Sequence, residues 1–323
     1  MHDLLVSGHS RAFAKTLECA DEYAKSPWPI FLMGETGVGK ELVARRIHSH
    51  SAASCAAFVP LNCGAIPPTL FESELFGYER GAFSGATQGR PGLIRAASGG
   101  TLFLDEIGEL DASSQVKLLR WLDSGEIRSL GSTRIEKAPA RLVAATHVDM
   151  ARAVARGAFR LDLFERLSVL ALRVPPLRER REDICVLAQT WLEQYGARFR
   201  ASDLFLLEQA PWPGNVRQLR NVVLRAIARG RGNVTARLLA ELLREENLFT
   251  MALGTGADLP DTDSPLADIE KRVILDRVRR CHGNKKQAAK ELGIAKSTLH
   301  EKFRKWNQSA VLELESSSAL GRP

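Results

Sequence analysis

The chain has 323 residues, enough for two or three domains with cores of their own, and no apolar run approaches the roughly 18 residues that a membrane-spanning helix needs. Five cysteines without a CxxC pair or metal-ligand spacing, behind a start (Met1-His2-Asp3-Leu4) that lacks a signal-peptide pattern, fit buried thiols in a reducing cytoplasm. The net charge of +7 is local: residues 266–306 hold 12 Lys or Arg against 5 Asp or Glu, so the rest of the chain sums to zero.

Along the chain, Trp28 to Gly34 reads as a buried strand entering a glycine loop, Gly34-Glu35-Thr36-Gly37-Val38-Gly39-Lys40-Glu41, and residues 39–50 read as the helix after it. That spacing turns backbone N–H groups inward around phosphates, with Lys40 as a point charge at the β/γ end. Residues 57–62, 101–105 and 141–146 are three more apolar strands, each followed by helical pattern, which predicts a parallel sheet with helices on both faces. The strand 101–105 ends in Asp105-Glu106, placed for Mg²⁺ (Asp105) and for orienting an attacking water (Glu106). Between the two halves of this site lies Gly81-Ala82-Phe83-Ser84-Gly85-Ala86, a small-residue loop with one aromatic. Such a stretch is either a contact loop or a flexible turn with Phe83 tucked into the core.

After Val174-Pro175-Pro176 the pattern becomes helical only, at about 182–198, 201–209, 215–229 and 235–244, as in a small lid. Residues 251–265, with Gly254, Gly256, Pro260 and Pro265, read as a linker. In the basic segment, Ile269, Val273, Ile274 and Val278 recur at helical spacing, Gly283-Asn284 breaks the run, and Gly293 turns a short helix into a third one. Lys296, Ser297, Thr298, His300 and Lys302 stay free there for bases or phosphates, the arrangement of a helix-turn-helix. The predicted boundaries are 1–175 for the α/β part, 176–250 for the lid, 251–265 for the linker, 266–306 for the DNA-binding module and 307–323 for a tail.

Taken together, the glycine loop, the Gly81–Ala86 segment with its flank Glu74-Leu75-Phe76-Gly77-Tyr78-Glu79, and Asp105-Glu106 resemble the AAA+ domain of bacterial enhancer-binding proteins, the activators of sigma-54 RNA polymerase. The likeness runs from about residue 4 to about residue 306 and includes a Fis-like terminal module. It implies ATP and Mg²⁺ as ligands, a hexameric ring, sigma-54 contact through residues 81–86, and enhancer DNA as the target of the C-terminal module. Glu41, where P-loop enzymes at large carry Ser or Thr, is common in this family. The resemblance also implies that Asn62 pairs with Glu106 as a switch (a polar strand end is the plainer alternative), that Thr146-His147 occupies the sensor I place, and that Arg217 in Trp212-Pro213-Gly214-Asn215-Val216-Arg217 is sensor II. Arg160 and Arg166 match the arginine-finger helix; one contacts a neighbour's phosphate while the other holds the interface. Six helical residues separate them by about 600°, so they do not share one face. The chain departs from the family at His147, often Asn, and at Ser84, usually Thr, where a lost methyl predicts weaker coupling.

With about 27 residues before the first strand there is no room for an N-terminal sensor, so regulation is expected from a separate protein acting in trans, and the ring is homomeric or mixed. Two other readings are an origin-melting AAA+ initiator, which leaves residues 81–86 unexplained, and a repressor that only senses ATP, which leaves Asp105-Glu106 and the two arginines without a task.

Overall fold

A computed structural model describes residues 10–257 and residue 299. The chain divides into two compact units, Met1–Glu246 and Asn247–Pro323. The first begins with α1 (Arg11–Ala24), β1 (Ile30–Met33), α2 (Lys40–Ser49), β2 (Phe58–Asn62) and α3 (Pro68–Phe76). A short insertion follows, β3 (Gly77–Tyr78) and β4 (Arg90–Pro91), then α4 (Leu93–Ala96), β5 (Thr101–Asp105) and α5 (Ala112–Ser124). A second insertion, β6 (Glu126–Ile127) and β7 (Glu136–Lys137), precedes β8 (Arg141–Thr146), α6 (Met150–Ala155), α7 (Leu161–Leu167) and β9 (Leu170–Arg173). The remainder is helical: α8 (Glu182–Gln194), α9 (Phe205–Glu208), α10 (Asn215–Arg229) and α11 (Ala236–Ala257).

The main sheet has the order β2-β5-β8-β1-β9 and every pairing is parallel. Side chains alternate between its faces as a period of two requires. Ile30, Leu32, Phe103, Val143 and Ala145 pack with α1 and α2, whereas Phe31, Leu102, Leu104, Leu142 and Ala144 pack with α3, α5 and α7. Both faces are therefore covered, which is why these strands read as continuous apolar runs. Register sets Met33 beside Thr146 and Asn62 beside Asp105, so the carboxyl ends of four strands finish level at one edge.

Besides the four short insertion strands, α1 and β9 escape the sequence reading. Ser10 caps α1 by accepting the Phe13 amide at 3.2 Å, and Phe13, Leu17, Ala20 and Ala24 are buried at helical spacing. The edge strand β9 alternates buried Leu172 with exposed Ala171 and Arg173, so it offers no continuous apolar run. One boundary also moves. Helix α11 extends to Ala257, so residues 251–257 continue a helix rather than begin the predicted linker. Met251, Ala252, Leu253 and Ala257 are good helix formers, and each lone glycine between them costs only about 1 kcal/mol. The lid helices share their own core around Trp191, Leu219, Val222 and Trp212, whose indole donates to the Leu207 carbonyl at 2.7 Å. Of the C-terminal segment only Leu299 is described, as helical and buried; Lys296, Ser297, Thr298, His300 and Lys302 lie outside the described residues.

Phe103 is 1% exposed on a central strand and stacks on Phe58 with centroids 6.0 Å apart. Phe103→Ala is expected to lower stability by about 3–5 kcal/mol, read from denaturant midpoints.

Candidate active site

The loop leaving β1 needs two left-handed residues, and Gly37 (φ 79°) and Gly39 (φ 102°) supply them. A Cβ on Gly37 would stand 2.5 Å from the Gly214 carbonyl, so the glycine also lets the lid approach the loop. Lys40, at the start of α2 and 6% exposed, donates to the carbonyls of Gly34 (3.0 Å) and Glu35 (3.4 Å), and its Nζ lies 3.7 Å from Glu106 Oε1. Glu41 points elsewhere: its Oε1 accepts from both Nε and Nη2 of Arg45.

Strand β5 ends in Asp105, whose Oδ1 accepts the Glu106 amide at 3.0 Å. Burial, and next the charge of Glu106, push the Asp105 carboxyl above its ordinary range, and Lys40 opposes the shift. Glu106 has φ 54°, an uncommon conformation for a residue with a side chain, and it turns the chain at the strand's end. Its Oε2 meets His147 Nδ1 at 2.5 Å. Thr146, 1% exposed, accepts the Val148 amide on Oγ1 and the Gly34 amide on its carbonyl, tying β8 to the glycine loop.

This corrects the expected partner of Glu106. Asn62 Oδ1 instead accepts the Ala65 amide at 3.1 Å and caps a short turn, Cys63–Ala65. The helical separation argued for the two arginines also fails, because Arg160 is the extended N-cap of α7 (ψ 135°) and only Arg166 is helical. Arg160 is paired with Asp162 and Arg166 with Asp123, and neither has a hydrogen bond or ion pair with the glycine loop among the described residues.

The lid completes the loop's surroundings through residues whose spacing gave no signal. Asn215, fully buried with φ 52°, accepts the Leu177 amide at 2.8 Å and donates to Glu35 Oε2 and the Thr36 carbonyl, both at 3.1 Å. Arg178 grips both oxygens of Glu35, holding its carboxyl below the usual range. Arg180 is buried over the Phe13 ring and donates to the Val38 carbonyl at 2.6 Å; burial lowers its pKa to about 10. The main chain of Arg217 lies against the loop: its amide donates to the Gly37 carbonyl at 3.3 Å.

Residues 81–86 form a closed turn in the β3–β4 insertion, with the Gly81 amide on the Ala86 carbonyl at 2.9 Å. Gly81 (φ 82°) and Gly85 (φ 102°) have open space around them, so backbone conformation alone demands glycine there. Phe83 is 43% exposed and leans on Tyr78, ring centroids 5.0 Å apart, rather than entering the core. Leu130, from the second insertion, exchanges backbone bonds with Gly77 and Glu79, so the two insertions share one support.

A model of the Sigma-54 interaction domain matches residues 6–173, one of the AAA+ ATPase lid domain matches 178–251, and one of the bacterial regulatory proteins of the Fis family matches 265–306. The nitric oxide reductase transcription regulator NorR1 of Cupriavidus necator is 43% identical over 92% of this chain and 62% of its own length. The transcriptional regulatory protein ZraR of Klebsiella oxytoca is 43% identical over 92% of the chain and 68% of its own. The chain thus spans about two thirds of these relatives. The crystal structure of NtrX from Brucella abortus in complex with ATP superimposes with a TM-score of 0.67 at 32% identity, covering 93% of this chain and 68% of NtrX.

Removing Asn215 strands the buried Leu177 amide, so Asn215→Ala is expected to cost about 1–3 kcal/mol in denaturant unfolding. Arg178→Ala breaks a pair whose side chains are 45% and 42% exposed, and is expected to cost under about 1 kcal/mol in the same measurement.

Proposed function

Because the chain belongs to the sigma-54 interaction family of AAA+ transcription regulators, we propose that it hydrolyses ATP to remodel sigma-54 RNA polymerase at promoters, from a closed to an open complex. The observation that carries this reading is the joint placement of Lys40, Asp105 and Glu106 at one sheet edge and of a half-exposed Phe83 on a separate glycine-framed turn. One group of residues suits a nucleotide and the other suits a protein partner.

In this reading residues 34–41 hold the phosphates, Lys40 exchanging the carbonyls of Gly34 and Glu35 for phosphate oxygens, and Arg217 closes from the lid. Mg²⁺ fits the donors present. Asp105 is a carboxylate whose charge is opposed by burial and by Glu106, and no group of three or more His, Cys, Asp or Glu forms a cage among the described residues. One carboxylate with water and phosphate oxygens is the usual Mg²⁺ arrangement, and the ion would neutralise charge on the transferred phosphoryl group. Glu106 orients the attacking water, and the His147 imidazole fixes that carboxylate. Arg160 and Arg166, exposed and paired only with surface acids, are free to exchange those acids for the phosphate of a neighbouring subunit in a hexameric ring. Residues 1–175 and 176–250 would act as motor and lid, and the 266–306 module as the holder of enhancer DNA, which raises the local concentration at the promoter.

Glu106→Ala is expected to lower ATP turnover by about 10²–10⁴-fold with ATP binding kept, measured by phosphate release and nucleotide titration. Phe83→Ala should hydrolyse ATP yet form no open complex with sigma-54 polymerase on a promoter probe. Wild-type hydrolysis without any opening would reject the remodelling assignment.

A further inference from the structure

The catalytic carboxylate and the arginines offered to a neighbour lie on different elements, and one buried side chain joins them. Gln115, in the first turn and a half of α5, is 1% exposed. Its Nε2 donates to the Leu110 carbonyl at 2.8 Å and the Ala158 carbonyl at 3.0 Å, while its Oε1 accepts the Arg160 amide at 2.9 Å. Leu110 closes the short turn Ile107–Glu109 that follows Glu106. Ala158 and Arg160 flank Phe159, which is 2% exposed and sits in the same core as Leu118 and Trp121 of α5. The far end of α5 meets the other arginine, through Asp123 and Arg166 at 3.2 Å.

We infer that Gln115 is a positioning residue for catalysis between subunits: it fixes the Ala158–Arg160 backbone, and so the arginine presented to the neighbour, against the segment that carries Glu106. The inference rests on the ATPase-ring reading above. The physical case is that the Arg160 carbonyl is tied only forward, to the Phe164 amide of its own helix at 3.1 Å, whereas its amide bond to Gln115 ties it to another element. Its side chain is held by Asp162 in an exposed pair, which contributes little positional restraint. An amide bond to a buried, doubly anchored glutamine is much stiffer, because leaving any of its three partners unpaired in the interior is costly.

Gln115→Met keeps size and removes all three bonds. The expected result is wild-type ATP affinity, a turnover lower by about 10²-fold because a small displacement of a catalytic group is that expensive, and faster hydrogen exchange at the Arg160 amide. The decisive readout is mixing. A Glu106→Gln subunit has a dead site but an intact arginine, and a Gln115→Met subunit has the reverse, so rings of both should turn over ATP faster than either variant alone, as should Glu106→Gln with Arg160→Ala. Near-wild-type turnover in Gln115→Met, unchanged exchange at Arg160, or a loss that mixing does not relieve would each overturn the inference; the last would place the effect of Gln115 on its own subunit's site. Should the methionine variant not fold, Gln115→Asn, which stays polar but draws the amide back by one methylene from its three partners, replaces it with the same expectations. A wild type without turnover, or a Glu106→Gln ring as active as wild type, marks failure of the ATPase reading itself.

Discussion

Lys40 carries a positive charge almost out of reach of water, and the site is arranged around satisfying it. Two loop carbonyls and one carboxylate oxygen surround the ammonium. A buried ion is tolerated only where it is paired and hydrogen-bonded. The same charge offsets part of the cost of placing Asp105 and Glu106 side by side at the end of a buried strand, where burial and then the charge of Glu106 raise the proton affinity of Asp105. All of these partners are groups that a phosphate chain and a divalent ion can replace. The ammonium is thus balanced by groups of the protein that lie at the edge of the sheet.

Backbone geometry converts this balance into direction. Parallel pairing brings Asn62, Asp105, Thr146 and the first loop glycine to one edge, the place where open α/β sheets bind ligands. The left-handed Glu106 then turns its carboxylate toward Lys40 and His147. Strain at this residue is held by what surrounds it: its amide is bonded to Asp105, and both carboxylate oxygens face cationic or imidazole groups. The lid contributes through Asn215, another left-handed residue, which connects Leu177 to the glycine loop. The lid and the glycine loop are therefore joined by hydrogen bonds through one buried side chain.

Much of this was legible in the sequence because the physics is local. β5 and β8 coincide with their apolar runs, α10 with its periodic stretch, and the glycine loop with its spacing. A half-buried edge strand, β9, lacked such a run, and α1 was missed although its cap and periodicity were present. The partner of Glu106 was not legible. Asn62 ends β2 and His147 follows β8, on opposite sides of β5, so both lie near the carboxylate and strand pattern alone does not choose between them. Nor were Arg178, Arg180 and Gln115, whose distant hydrogen-bond partners lie 43 to 143 residues away.

The two insertions explain how a change at this edge can reach Phe83. β3–β4 leaves directly from α3, which follows β2 and the Asn62 turn, and β6–β7 leaves from α5, which follows the Glu106 turn. Leu130 joins them through bonds to both Gly77 and Glu79, and Gly131 is in contact range of Ala82. The turn bearing Phe83 is thus supported by two elements, each rooted one short turn beyond a residue of the nucleotide edge. Its own conformation is set by Gly81 and Gly85, which fix its shape while filling no space around it. Within the turn the Gly81 amide bonds to the Ala86 carbonyl and the Ala86 amide to the Phe83 carbonyl, so its hydrogen bonds close on themselves and Phe83 stands on a preformed body rather than a loose loop.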